Sequence, residues 1–221
     1  MTFVGRERER ALLRKALGAG QGVVLRGEYG IGRTALVRAV AGELGPAWRF
    51  AFIDSRDTPA RICAQLAAAL LAPPRRRSQT PATYRGMRSW LAKGRRGPGT
   101  HVLVLDDVER LSTAKWEFLR YLAVLPRLRI VAVVESFLPD RDVTRLRAVL
   151  YPSIGMELHH LPVEASVKFF SDASERYGLG WSDEHLHLLA TSRGGYPLEM
   201  AIDVARARDE RSASSAPGPR R

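Results

Sequence analysis

The sequence predicts an α/β fold on a parallel sheet, followed by a small helical region. Three observations carry that prediction. Short apolar runs alternate with amphipathic stretches through residues 22–161. Two of those runs, His101 to Leu105 and Arg129 to Val134, are continuous rather than alternating, the pattern of strands buried on both faces of a parallel sheet. After Pro162 the strand signals stop and helical periodicity takes over.

The elements follow in order. Gly22 to Arg26 reads as a strand, a glycine cluster as a loop, and Thr34 to Ala41 as a helix. Trp48 to Asp54 is a second strand, ending on an acid. Pro59 to Leu71 is a helix with Ile62, Leu66, Ala69 and Leu70 as its apolar stripe. Residues 73–82 form a loop, Thr83 to Lys93 a basic helix, and Gly97-Pro98-Gly99 a break. After the strand at 101–105, Ser112 is the N-cap of a helix running to about Leu125, which Pro126 ends. The strand at 129–134, a helix at Arg141–Val149 and a fifth strand at Met156–Leu161 complete the sheet. Val163–Tyr177, Ser182–Thr191 and Pro197–Arg208 read as three helices. The expected organisation is an α/β core over 1–161, a helical subdomain over 162–208 and a disordered tail over 209–221, rich in Ser, Pro and Arg.

Composition narrows the function classes. With 45% apolar and 26% charged residues among 221, the chain buries a core and is not wholesale disordered. Its single cysteine, Cys63, excludes a disulfide framework and a cysteine-ligated zinc site. No apolar run approaches the roughly 18–20 residues of a membrane span, and the N-terminus lacks a signal-peptide pattern. A soluble cytoplasmic protein is expected.

Charge is the unusual quantity. Lys and Arg total 35 against 23 Asp and Glu, a net +12. Only Lys15, Lys93, Lys115 and Lys168 are lysines, leaving 31 arginines. Coding bias accounts for Arg over Lys but not for the surplus of positive charge, which points to a polyanion. Eight of the charges (Arg75, Arg76, Arg77, Arg85, Arg88, Lys93, Arg95 and Arg96) fall in 73–100, which holds no Asp or Glu. Tyr84, Met87 and Leu91 share one helical face, which is expected to pack on the sheet, with Arg85 and Arg88 off it. That surface reads either as a phosphate-backbone contact for nucleic acid, with the seven arginines as candidates, or as a solvated helix face.

The chemistry concentrates in two motifs. Gly27-Glu28-Tyr29-Gly30-Ile31-Gly32-Arg33-Thr34 matches the Walker A pattern G-x-x-x-x-G-K-[ST] except that Arg33 stands for lysine. Glycines let the backbone N–H groups converge on phosphate at a helix N-terminus. Thr34 is placed for Mg²⁺ and residue 33 for the β/γ-phosphates. Val102-Leu103-Val104-Leu105-Asp106-Asp107 has the form of Walker B, with Asp106 toward Mg²⁺ and Asp107 toward the attacking water.

With both motifs in place, the chain resembles an AAA+ or STAND-type additional-strand P-loop ATPase over roughly residues 2–207. It is similar to origin-recognition-like and transposition-regulator ATPases. One strand lies between the motifs, which in such proteins implies a five-stranded parallel sheet in the order 5-1-4-3-2. Phe3-Val4-Gly5-Arg6-Glu7-Arg8-Glu9 resembles the segment that lies against adenine, so Val4 and Arg6 are implied beside the base. Gly27, Gly30, Ile31, Gly32, Arg33, Thr34 and Ala35 are implied around the phosphates. Leu105-Asp106-Asp107-Val108 is similar to the L-D-D-V of STAND proteins. Ser136, or Glu135, falls at the sensor-1 position. Leu161-Pro162-Val163-Glu164-Ala165 resembles the lead-in to the lid, and Gly194-Gly195-Tyr196-Pro197-Leu198 its nucleotide-contacting motif, which brings in Pro197. Arg141, Arg145 and Arg147 are the candidates for an arginine donated to a neighbour's γ-phosphate.

The resemblance implies ATP or ADP with Mg²⁺, homo-oligomerisation, DNA, no membrane, and a partner such as a transposase, helicase or initiator. Asp107, Arg33 and Ser136 are the implied catalytic residues. A guanidinium is longer and planar where an ammonium is compact, and Asp107 is one methylene shorter than the usual Glu, so a slow ATPase is expected. A STAND-like signalling switch and a P-loop scaffold without hydrolysis are the alternatives.

Overall fold

A computed structural model describes residues 4–70, 81–92 and 99–214. Helix α1 (Glu7–Gly18) leads into β1 (Gly22–Gly27), α2 (Arg33–Glu43), β2 (Trp48–Asp54), α3 (Pro59–Leu70) and α4 (Tyr84–Ala92). Then come β3 (Thr100–Val108), α5 (Thr113–Ala123), β4 (Leu128–Glu135), α6 (Asp140–Val149) and β5 (Ser153–Leu158). Helices α7 (Val163–Tyr177), α8 (Asp183–Ser192) and α9 (Pro197–Ser214) follow. The five strands form one parallel sheet in the order β2-β3-β4-β1-β5, the predicted order read from the other edge.

The continuous apolar runs take the central places. Val102, Val104, Val131, Val133 and Val134 are fully buried. In α4, Tyr84, Met87 and Leu91 are buried as their spacing predicts. They share a core with Leu66 of α3, Leu103 and Ile130 of the sheet, and Phe118 of α5. Ser112 caps α5, its hydroxyl accepting from the Lys115 N–H at 3.3 Å.

Compact units divide the chain in two. Arg8–Glu28 and Arg33–Glu157 form the sheet-bearing unit; Met1–Glu7, Tyr29–Gly32 and Leu158–Arg221 form the other, within the described residues. The second has its own core of Leu161, Phe170, Ala173, Leu186, Ala190, Met200 and Val204.

Three features depart from the sequence reading. Helix α1 was not anticipated, although Leu13, Ala16 and Leu17 give its buried stripe. The fifth strand lies at 153–158 rather than 156–161, because pairing already begins where the Gly22 N–H donates to the Pro152 carbonyl at 2.8 Å. Helix α9 runs to Ser214, so residues 209–214 are helical rather than tail. No Pro or Gly interrupts 198–214, and the Ser212 hydroxyl donates to the Arg208 carbonyl at 2.9 Å. The loop predicted over 73–82 and the break at 97–99 lie largely outside the described residues, as do residues 215–221. No helix among the described residues is long and apolar enough to cross a membrane.

Candidate nucleotide-binding site

The loop from β1 to α2 carries Gly30 at φ +76° and Gly32 at φ +95°. A side chain at Gly30 would be strained and would place its Cβ 2.7 Å from the Leu198 Cβ and the Tyr196 hydroxyl. The first turn of α2 holds no acidic residue, so its N-terminal dipole is left for an anion.

Asp106 and Asp107 sit at an irregularity of the sheet. The β3–β4 register shifts between Leu105 and Val108, and Asp107 has φ +49°. Asp106 is in register with Asp54 on β2. Across from it, the Thr34 hydroxyl donates to both Asp106 carboxylate oxygens, at 2.8 and 3.0 Å. A hydroxyl and a carboxylate converging at the start of α2 are hard oxygen donors, which suits Mg²⁺. These residues therefore fit Mg²⁺-ATP. When bound, the ion would be held by Thr34 and Asp106 and would offset phosphate charge.

Arg33, expected toward the β/γ-phosphates, is engaged within the protein. Its guanidinium is buried, with a side chain 6% exposed, and donates to the Glu135 carboxylate and the Val134 carbonyl. The cause is register: Glu135 ends β4 opposite Gly27, the last residue of β1, and a long arginine reaches it. Of the two residues expected at a sensor-1 position, Glu135 is the one that meets the start of α2. Ser136 is engaged through its carbonyl, which accepts from Arg26.

Sequence reasoning missed Arg56. It bridges two acids, with Nη2 2.8 Å from Asp54 Oδ2 and 2.8 Å from Asp107 Oδ2. Hydrogen bonding from Arg56 holds the Asp54 carboxyl below the usual carboxylate range, and Asp54, then Asp107, raise the guanidinium further. The Ser55 hydroxyl fixes the backbone below, donating to the Asp107 carbonyl at 2.7 Å. The available signal was Asp54-x-Arg56 directly after a strand.

The residues expected beside the base fall together in the second unit. Val4 and Arg6 are each 8% exposed. Arg6 donates to the carbonyls of His159 (2.5 Å) and Ile31 (3.3 Å). The Tyr196 hydroxyl, next to Pro197, donates to the Tyr29 carbonyl at 2.5 Å, and His160 stacks on its ring. The preceding Gly195 is required by contact: a Cβ there would lie 1.9 Å from the Leu161 carbonyl oxygen. Gly27 and Ile31 are buried, whereas Ala35 is exposed.

The remaining arginines separate. Arg145 lies 4.3 Å over the Trp116 ring, Arg147 packs near Gly155, and Arg141 is 86% exposed with a long 4.0 Å approach to Asp142. Arg85 and Arg88 are exposed on α4, beside a hollow lined also by Ser89, Glu117 and Tyr121. Arg75, Arg76, Arg77, Arg95 and Arg96 lie outside the described residues.

The sequence pattern of the AAA ATPase domain matches residues 2–134. The chain belongs to the AAA ATPase domain family. No curated protein matches this AAA ATPase domain chain. Among solved structures, the Thermotoga maritima RuvB Holliday junction branch migration motor superposes with TM-score 0.64 at 22% identity, over 97% of this chain and 65% of that one. Aeropyrum pernix ORC1 in complex with DNA gives 0.55 at 17%, over 95% and 66%. The S. cerevisiae Hsp104:casein complex gives 0.65 at 17%, over 96% and 38%. These likenesses are likenesses of fold, and the chain spans less than two thirds of each of those chains.

Proposed function

We propose that this AAA ATPase domain binds Mg²⁺-ATP at the β1–α2 loop and hydrolyses it slowly. The observation that carries the reading is the convergence of Thr34 and Asp106 at 2.8 and 3.0 Å at the start of α2. In this reading Thr34 and Asp106 hold the ion, and Gly27, Gly30, Ile31, Gly32, Thr34 and Ala35 line the phosphates. Val4, Arg6 and Pro197 lie toward the base. Asp107 orients water, and Ser136 and Arg33 answer the γ-phosphate. Slow turnover follows because both Arg33 and Asp107 begin in ion pairs. Residues 162–208 serve as the lid.

The domain further acts as a homo-oligomer on DNA, regulating a partner such as a transposase, helicase or initiator. The net charge of +12 and the exposed Arg85 and Arg88 support the DNA contact, in which Arg75, Arg76, Arg77, Arg95 and Arg96 take part. The exposure of Arg141 favours it over Arg145 and Arg147 as the arginine offered to a neighbour.

The test is ATP hydrolysis with and without DNA at two salt concentrations, beside a thermal shift with Mg²⁺-ATP. Hydrolysis stimulated by DNA and weakened by salt is expected. Ligand at about 100 times its dissociation constant raises stability by roughly 2.7 kcal/mol; no shift at millimolar ATP refutes nucleotide binding. A second reading, a nucleotide-binding switch without hydrolysis, is favoured by the two arginine pairs, and a thermal shift with no phosphate release selects it.

A further inference from the structure

We infer that Glu135 is a positioning residue that holds Arg33 away from the phosphates until a nucleotide displaces it. This rests on the nucleotide-binding reading above and adds a competition that sets its affinity. Arg33 is the first residue of α2, and Glu135 is the last of β4, in register with Gly27. Their side chains are 6% and 8% exposed. The planar guanidinium serves two acceptors together, the Glu135 carboxylate and the Val134 carbonyl. An ammonium on a lysine stem has no such fork, so arginine at this position is what the paired arrangement requires.

The consequence is energetic. A phosphate chain at the α2 N-terminus and the Glu135 carboxylate are both anions, and they compete for one guanidinium. If Arg33 swings to phosphate, Glu135 is left buried without its counter-ion, which is strongly unfavourable. Apparent affinity is therefore lowered by the fraction of molecules in which Arg33 is held. Weakening the pair while leaving Arg33 in place releases that penalty and tightens binding.

Two variants and one measurement on the unaltered protein test this. Glu135→Gln removes the charge and keeps the shape; Glu135→Asp keeps the charge and retracts it by one methylene. Calorimetric titration with Mg²⁺-ATP is expected to give about tenfold tighter binding for Glu135→Gln and an intermediate value for Glu135→Asp. A merely structural Glu135 would loosen the site, so unchanged or weaker binding by both variants overturns the proposal. Tightening confined to Glu135→Gln also overturns it, because loss of a repulsive charge then suffices. In the unaltered protein, the Arg33 Nε–H resonance is expected to move when Mg²⁺-ATP saturates; a resonance unmoved at saturation overturns the proposal even if neither variant folds. Failure of the unaltered protein to bind Mg²⁺-ATP at all instead removes the underlying nucleotide reading, and this proposal with it.

Discussion

Two arginine–carboxylate pairs flank the candidate site, and they have opposite surroundings. Arg33–Glu135 is 6% and 8% exposed; Arg56–Asp107 is 55% and 35% exposed. The chemistry of the two pairs is the same. In the first, each charge depends on the other, because water is excluded and an unpaired ion in that place is costly. In the second, water solvates both groups and screens their attraction. The buried pair is therefore a structural element that is costly to disturb, whereas the exposed pair is a contact that can form and break cheaply.

Removing one member of each pair sharpens that contrast. Glu135→Ala leaves a buried guanidinium without its carboxylate and is expected to cost about 3–5 kcal/mol in urea denaturation. A loss below about 1 kcal/mol would mean that water reaches Arg33 and would erase the distinction. Asp107→Asn should leave the unfolding midpoint unchanged while lowering phosphate release about hundredfold or more, the usual scale for a lost general base. Equal hydrolysis by the variant would remove Asp107 from the chemistry.

Outside these pairs, a buried polar group lacks a partner. The Tyr84 hydroxyl is buried without a hydrogen bond, its ring stacked on Phe118 at 4.5 Å. Tyr84→Phe is therefore expected to stabilise by about 1 kcal/mol. Burial, then the nearby Cys63, push the phenol up to about 12 from its ordinary 10.0. The folded state thus keeps this proton longer than the unfolded chain does, so stability falls as pH rises from about 10 toward 12. An alkaline denaturation series on Tyr84→Phe should lack that component.

The smallest effect belongs to Arg56→Ala, with only a slight lowering of the neutral-pH midpoint. Arg56 depresses the Asp54 pKa, so the contact stabilises the fold above the ordinary carboxylate range and is lost as pH falls through the depressed value. The variant should remove this slight acid dependence, read in thermal melts between pH 5 and 2. A large neutral-pH loss would show that the pair is structural after all.

Much of this was legible in sequence because it is local. The glycine loop, the Ser112 cap and the stripe of Tyr84, Met87 and Leu91 each follow from residues within a turn or two of one another. The limits of β5 were not legible, because pairing with Gly22, not composition, sets where that strand begins. Nor was the fate of Arg33. Its partner lies 102 residues away in sequence, and only the register of β1 against β4 brings Glu135 opposite Gly27. Arg56 was overlooked for the same reason: Asp107 becomes its neighbour because β2 and β3 pair with Asp54 beside Asp106.

By itself, the sequence determined the order of the strands and of every helix after α1, the loop that curls at Gly30 and Gly32, and the family to which the chain belongs. Those properties rest on backbone propensity and hydrophobic period, which are written along the chain. Tertiary structure alone decided which acid each arginine meets and whether water reaches the pair. Strand register fixes the partner, burial fixes its strength, and neither has a local signature.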